Sequence, residues 1–247
     1  MILRGTQGHK EPWEEHESEY KKVSGKKIKQ GNFGHVYRVR HSDPNGPQTI
    51  RVIKEVQHQT GYTRQEEHEL ECIRRVNDHR FRGHVIKLLN IFHKVEDRVV
   101  ANIIVMESGI CTLLQIQRSH CGHGTSTVQT WMRSLARAVC ACHEVQVMHR
   151  DIKPANCIMC MGQQDSILEL KLADFGNSVV VAPGPPVSGV SFSLEWATTP
   201  EYSAPELFSG YHTFKGDVWS IGVICSELLH TQPGASFVNA SRYLYIP

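Results

Sequence analysis

The chain has 247 residues, 40% of them hydrophobic and 21% charged, with a formal net charge of +2. That is enough apolar material for one large or two small domains, and the interspersed acids and bases exclude the broad basic field expected of a nucleic-acid binder. The longest apolar run, Val99 to Met106, is broken by Asn102 and too short to span a bilayer, so no membrane partner is expected. Residues Met1 to Tyr20 are rich in Glu, Lys and His and lack the apolar centre of a signal peptide, which predicts a cytoplasmic or nuclear protein. The eight cysteines are irregularly spaced and read as reduced thiols. Two local groups, Cys157-Ile158-Met159-Cys160 and His120-Cys121-Gly122-His123, have no second matching pair at zinc-finger spacing, and they read as packed or surface side chains.

Along the chain, residues 1–20 are expected to form a flexible polar extension. From Lys21 to about Met106 the pattern is strand-like with a single helix, and from Ser126 onward it turns helix-rich. The shift predicts an α+β fold with a small β-rich lobe over 21–107 and a mainly helical lobe over 108–247, hinged at Ser108 to Ile110. Gly31-Asn32-Phe33-Gly34-His35-Val36-Tyr37 is a glycine turn entering a strand, a place where backbone amides can approach phosphates. Twenty residues after Gly34, Lys54 ends the strand Thr49 to Ile53. A helix follows over about Arg64 to Val76, with Thr63 and Glu66 at capping-box spacing. Glu69 lies on its inward stripe with Ile73 and Val76, and Lys54 is the partner that such a carboxylate needs. A second helix is expected over about Thr127 to His143, capped by Ser126 and Gln129, with Val128, Trp131, Leu135, Ala138, Val139 and Cys142 on its core face. A third, Val218 to Leu229, is apolar nearly all round and is expected to be buried on every side.

Between the last two helices lie His149-Arg150-Asp151-Ile152-Lys153-Pro154-Ala155-Asn156 and Asp174-Phe175-Gly176. Val145 to Met148 leads into the first and the alternating Leu168 to Leu172 into the second, and both leaders read as strands. Asp151 and Asn156 share one short loop, while Asp174 arrives from a neighbouring strand. These hard carboxylate and amide oxygens suit magnesium better than zinc, and with Lys153 they can hold a metal-bound polyphosphate beside a hydroxyl.

These two runs resemble the catalytic and metal-binding loops of eukaryotic protein kinases, whose signature set is itself a standard worked example of phosphoryl transfer. The resemblance extends over about Lys21 to Phe237 and implies a two-lobe kinase fold using ATP and Mg. Asp151 would accept the proton of a Ser or Thr hydroxyl on a protein substrate, Lys153 would neutralise the moving phosphoryl group, and Asn156 and Asp174 would hold magnesium. Lys54 would contact the α and β phosphates and pair with Glu69. Gly31, Phe33 and Gly34 match the glycine-rich loop, with Lys29 in place of its first glycine. Val36, Val52 and Ile158 would sandwich the adenine, Val52 standing where the family has alanine. Met106 matches the gatekeeper, and Glu107 and Ser108 start the hinge. His149, Phe175, Ile73 and Leu88 would form a packed column resting on Asp217.

Asn177 to Glu206 would be the activation and substrate-docking segment, ending in Thr199-Pro200-Glu201-Tyr202-Ser203-Ala204-Pro205-Glu206. Thr199 and Lys153 resemble the serine/threonine rather than the tyrosine branch. Arg150 implies an ordering anion on this segment; in register the usual phosphosite falls on Glu195, which would partly replace the phosphate, with Ser191 and Ser193 as alternatives. Only Val238 to Pro247 follows the matched stretch, where the family continues through further helices that give Glu206 an arginine partner. The expectation is a helical lobe lacking its last helices and an unpaired Glu206. A truncated pseudokinase or ATP-binding regulatory module is the alternative to an active enzyme. Subgroup, substrate and oligomeric state are not readable from the residues.

Overall fold

In the computed structural model the described residues are 11–23, 29–31, 34–42, 49–58, 64–96, 99–119, 124–162, 168–182, 190–191, 199–209 and 211–229. Phe33, Glu195 and Ser193 lie outside them, and so do Thr63 and His120 to His123. The chain divides into two compact units, residues 1–70 with 87–108, and residues 71–86 with 109–247. The division places 71–86, which the sequence pattern assigns to the small lobe, with the larger unit.

The first unit is built on a seven-stranded sheet. Its strands are β1 (Glu11–Pro12), β2 (Tyr20–Lys22), β3 (Lys29–Gly31), β4 (Gly34–His41), β5 (Thr49–His58), β6 (Leu88–Glu96) and β7 (Val99–Glu107). The order is β1-β6-β7-β5-β4-β2, with β3 also paired to β4. All pairings are antiparallel except β1 on β6. The β-branched runs in β5 and β7 supply side chains that suit both faces of such a sheet. Helix α1 (Arg64–Asn77) begins in this unit and ends in the other.

The expectation of a flexible segment over 1–20 fails for residues 11–20. Trp13 and Tyr20 are 4% and 6% exposed and share a buried cluster with Val39, Ile53, Phe92, Ile103 and Val105. A tryptophan and a tyrosine placed over an apolar sheet face bury far more surface than the surrounding Glu and His residues suggest.

The second unit contains β8 (Cys111–Thr112), α2 (Leu113–Arg118), α3 (Thr125–Glu144), β9 (Val147–Met148), β10 (Cys157–Met161), β11 (Leu168–Leu172), β12 (Val179–Val180), β13 (Val190–Ser191), β14 (Tyr211–His212) and α4 (Phe214–Leu229). Helix α3 buries Val128, Trp131, Leu135, Ala138, Val139 and Cys142, the stripe that its periodicity predicts. It starts earlier than expected, at Thr125 behind Gly124, and no side chain caps it. The capping box forms instead at Thr112, whose hydroxyl accepts from the Gln115 amide at 3.1 Å while the Gln115 side chain accepts from the Thr112 amide at 2.8 Å. Helix α4 is not buried all round. Ile224 and Leu228 are buried, but Val218 and Leu229 are 55% and 54% exposed.

Candidate active site

The sheet register of the first unit sorts the expected nucleotide residues onto one face. Val36 pairs with Lys54, and Lys54 with Ile104; one step along, Val52 pairs with Met106, and Met106 with Leu88. Residues directly opposite on neighbouring strands share a face, so Val36, Val52, Lys54 and Met106 form one patch. Lys54 Nζ donates to Glu69 Oε1 of α1 at 2.5 Å, and both side chains are less than a tenth exposed. Neither charge would tolerate that burial alone. Lys29, Gly31 and Gly34 lie in the β3–β4 hairpin, where Gly31 pairs with Gly34. Glu107 is held by the Lys87 backbone, accepting from its amide at 2.7 Å, and Ser108 is the last residue of the unit.

In the second unit, Ile158 lies on β10 opposite Thr112 and Lys171. Gly109 sits against it so closely that a Cβ there would lie 2.1 Å from Ile158 Cγ2, so only glycine fits. Cys157 and Cys160 are buried on the same strand, and burial pushes the Cys157 thiol up to about 12.

The catalytic loop is closed by a ring of hydrogen bonds. Lys153 Nζ donates to Thr199 Oγ1 at 2.7 Å, and that hydroxyl donates to Asp151 Oδ1 at 3.0 Å. Lys153 Nζ also lies 2.8 Å from Asp151 Oδ2. Asn156 Nδ2 donates to the Asp151 carbonyl at 2.8 Å and to its Oδ2 at 3.0 Å. Both amide hydrogens of Asn156 are thus given to Asp151, which leaves the amide oxygen as its ligand atom for a cation. The Ala173 amide donates to the Asn156 carbonyl at 2.9 Å, bringing the adjacent Asp174 to the same loop. One amide oxygen and one carboxylate match magnesium's habit of taking few protein ligands and completing its shell with phosphates and water.

Asp217, at the start of α4 and 2% exposed, supports this loop from below. It accepts from the His149 and Arg150 amides at 2.9 and 2.8 Å, and from His143 Nε2 at 2.9 Å. Burial opposes its charge, but the His143 hydrogen bond and the two nearby histidines hold its carboxyl below the usual carboxylate range. His149 is fully buried, its Nε2 is 3.2 Å from the Ala173 carbonyl, and its ring meets Phe175 edge-on at 5.1 Å. Burial lowers its pKa, which favours the neutral ring. Ile73, also in this unit, is 2% exposed, and Leu88 is buried on β6. Two non-glycine residues of the site, Arg150 and Asp174, have φ of 67° and 66°, in the left-handed region.

Arg150 Nε donates to the Asn177 carbonyl at 2.6 Å, and burial lowers its pKa to about 10. It lines a cavity with Asp151, Thr199, His212 and Asp217, and burial followed by the Arg150 charge pushes His212 down to about 4. Glu206 accepts from Thr213 Oγ1 at 3.4 Å, a neutral hydroxyl rather than the arginine that the resemblance implies. Sequence reasoning missed a further group: Tyr202 donates to Glu227 at 3.1 Å, and Gln117 Nε2 to the same carboxylate at 3.2 Å. The i+10 position of Glu227 from Asp217 on an apolar helix is its only sequence signal.

A family profile described as the protein kinase domain matches residues 22–242. The chain belongs to the protein kinase family, serine/threonine type. It is 30% identical over 211 residues to the serine/threonine-protein kinase Aurora-2 of Arabidopsis thaliana and 31% to an Aurora kinase of Patiria pectinifera. It is 27% identical over 211 residues to cyclin-dependent kinase 20 of Danio rerio. These matches take in 84 to 85% of the chain and 68%, 48% and 56% of the respective relatives, so this kinase chain spans from about half to two thirds of their length. Among the described residues no helix is long and apolar enough to cross a membrane.

Proposed function

We propose that the chain is a serine/threonine protein kinase that transfers the γ-phosphoryl group of ATP to a Ser or Thr hydroxyl of a protein. The observation that carries this is the closed ring of Asp151, Lys153, Thr199 and Asn156, resting on Asp217. Asp151 stands ready to accept the proton of the attacking hydroxyl. Its second oxygen faces Lys153, so the carboxylate is oriented and a positive charge is stationed beside the transferring group. As the new O–P bond forms, the bond between the γ phosphorus and the bridging oxygen breaks, and ADP carries away the charge. Asn156 and Asp174 would hold magnesium, which when bound neutralises the phosphate charge. Lys54, kept charged and straight by Glu69, would grip the α and β phosphates. Val36, Val52, Met106 and Ile158 would enclose the adenine, Gly31, Phe33 and Gly34 would cover the phosphates with Lys29 beside them, and Glu107 and Ser108 would hold its edge. Thr199 links the substrate-docking segment to the proton acceptor, which suits a hydroxyl on a flexible Ser or Thr. Arg150 and Glu206 would order that segment, Glu195 standing in for a phosphate. The proposed setting is the cytoplasm or nucleus, where Mg-ATP and protein substrates meet.

Transfer of radioactive phosphate from ATP to a mixed Ser/Thr peptide library tests the reading. Activity is expected from the parent chain and none from Asp151→Asn or Asp174→Ala. Equal incorporation by all three would refute it, and Mg-ATP binding without incorporation would favour the regulatory module.

A further inference from the structure

The segment before the sheet is packed onto the face opposite the nucleotide patch. Tyr37, Ile53 and Val105 form one cross-strand row, and Glu55, Ile103 and Phe92 form another. These rows alternate with those of Lys54 and Val52 along the same strands, so they occupy the other face. Over them lie Trp13 and Tyr20, whose rings are 5.4 Å apart, with Trp13 also 5.5 Å from Phe92. Arg51 Nη1 donates to the Tyr20 hydroxyl at 3.3 Å. His16 stacks on Phe92 at 4.8 Å and contacts Glu19, which also reaches His41. A cavity of ~70 Å³ lies beneath, lined by Trp13, Tyr20, Tyr37, Ile53 and Glu55 among others.

Strand β5 is therefore held on one face by an aromatic strap through Arg51 and Ile53, while the alternate residues Val52 and Lys54 face the nucleotide side. We infer that Trp13 is a positioning residue for phosphoryl transfer, acting through Ile53 on the adjacent Lys54. The inference rests on the kinase reading above. Ile53, which lies in the strap's cluster, and Lys54 are neighbours on one strand, so a shift of the strand that lets Ile53 sink into space vacated by the indole carries Lys54 with it. Packed cores respond to missing volume in this way, by partial collapse. The strap touches neither nucleotide nor substrate, and its effect is specific to nucleotide handling.

The test is a double-mutant cycle on Mg-ATP affinity, measured by calorimetry on the full chain, together with steady-state kinetics. Trp13→Ala is expected to weaken Mg-ATP binding about tenfold, an energy typical of coupled neighbours, and to raise the KM for ATP while leaving the peptide KM in place. Trp13→Phe should recover most of the loss. In a Lys54→Met background the same Trp13 substitution should change affinity less than about twofold. An equal loss in both backgrounds, or a peptide KM that rises with the ATP KM, reduces the strap to a general stabiliser and overturns the inference. If Lys54→Met itself leaves Mg-ATP affinity unchanged, the nucleotide reading fails first. Should Trp13→Ala not fold, Trp13→Leu keeps the position apolar and carries the same comparison.

Discussion

Replacing Asp217 by alanine removes the acceptor that holds the catalytic loop to α4. Two backbone amides, those of His149 and Arg150, lose the carboxylate oxygens to which they donate, and His149 is fully buried. An orphaned buried donor costs about 1–3 kcal/mol, which applies in full to the His149 amide, and the part-buried Arg150 amide adds less. His143 loses its partner as well, but its side chain is 22% exposed and can turn to water. Against a total stability of about 5–15 kcal/mol this is a large fraction. Asp217→Asn retains one acceptor oxygen and should cost roughly half as much. Urea unfolding followed by tryptophan fluorescence reads both values, and phosphate transfer on the folded fraction should fall at least tenfold for the alanine variant. The acid arm gives a second check. Because the folded carboxyl titrates below its ordinary value, its stabilisation is complete above about pH 4 and is lost as the pH falls through the lowered value. Asp217→Asn should flatten that part of the profile. An Asp217→Ala protein within about 0.5 kcal/mol of the parent, with transfer intact, would refute the anchoring argument.

Three further outcomes follow from the geometry. Glu69→Ala leaves the Lys54 ammonium buried without its carboxylate; loss of one partner from such a pair costs about 3–5 kcal/mol, read by thermal or chemical unfolding, and a Glu69→Ala protein as stable as the parent would show that the pair is not held in solution. His212 is depressed to about 4, so an unfolded chain takes its proton first as the pH drops from about 6.5, and stability should decline through that window and level off below it; His212→Gln should show a shallower decline in the same titration. Gly109→Ala drives a methyl into Ile158 and should weaken Mg-ATP binding as β10 shifts, with calorimetry as the measure and an unchanged affinity as the contrary result.

Much of the site was legible because its groups are close in sequence or fixed by strand parity. Asp151, Lys153 and Asn156 lie on one loop, and the helix stripe alone points Glu69 at Lys54, although β5 runs on to His58 and Lys54 sits within the strand rather than at its end. The Trp13 strap was not legible, since two aromatic residues among Glu and His give no period, and their value depends on an apolar sheet face assembled from four distant strands. The capping motif falls elsewhere for a local reason: Ser126-x-x-Gln129 and Thr112-x-x-Gln115 are equivalent as spacing, but α3 starts at Thr125 and so takes Ser126 into its first turn, whereas Thr112 stands in extended backbone just before α2. The exposed side of α4 also escaped, because composition tells how apolar a helix is but not which neighbours reach it.

The left-handed backbone at Arg150 and Asp174 has a kinetic consequence. Non-glycine residues in that region cost of order 1–2 kcal/mol each relative to right-handed backbone. The loop therefore relaxes toward an open geometry whenever its tethers slacken, well before the strands beside it separate. Amide exchange should record this as an early, shallow opening confined to residues 149–156 and 173–177, with the His149 and Arg150 amides reporting the moment at which the Asp217 carboxylate lets go.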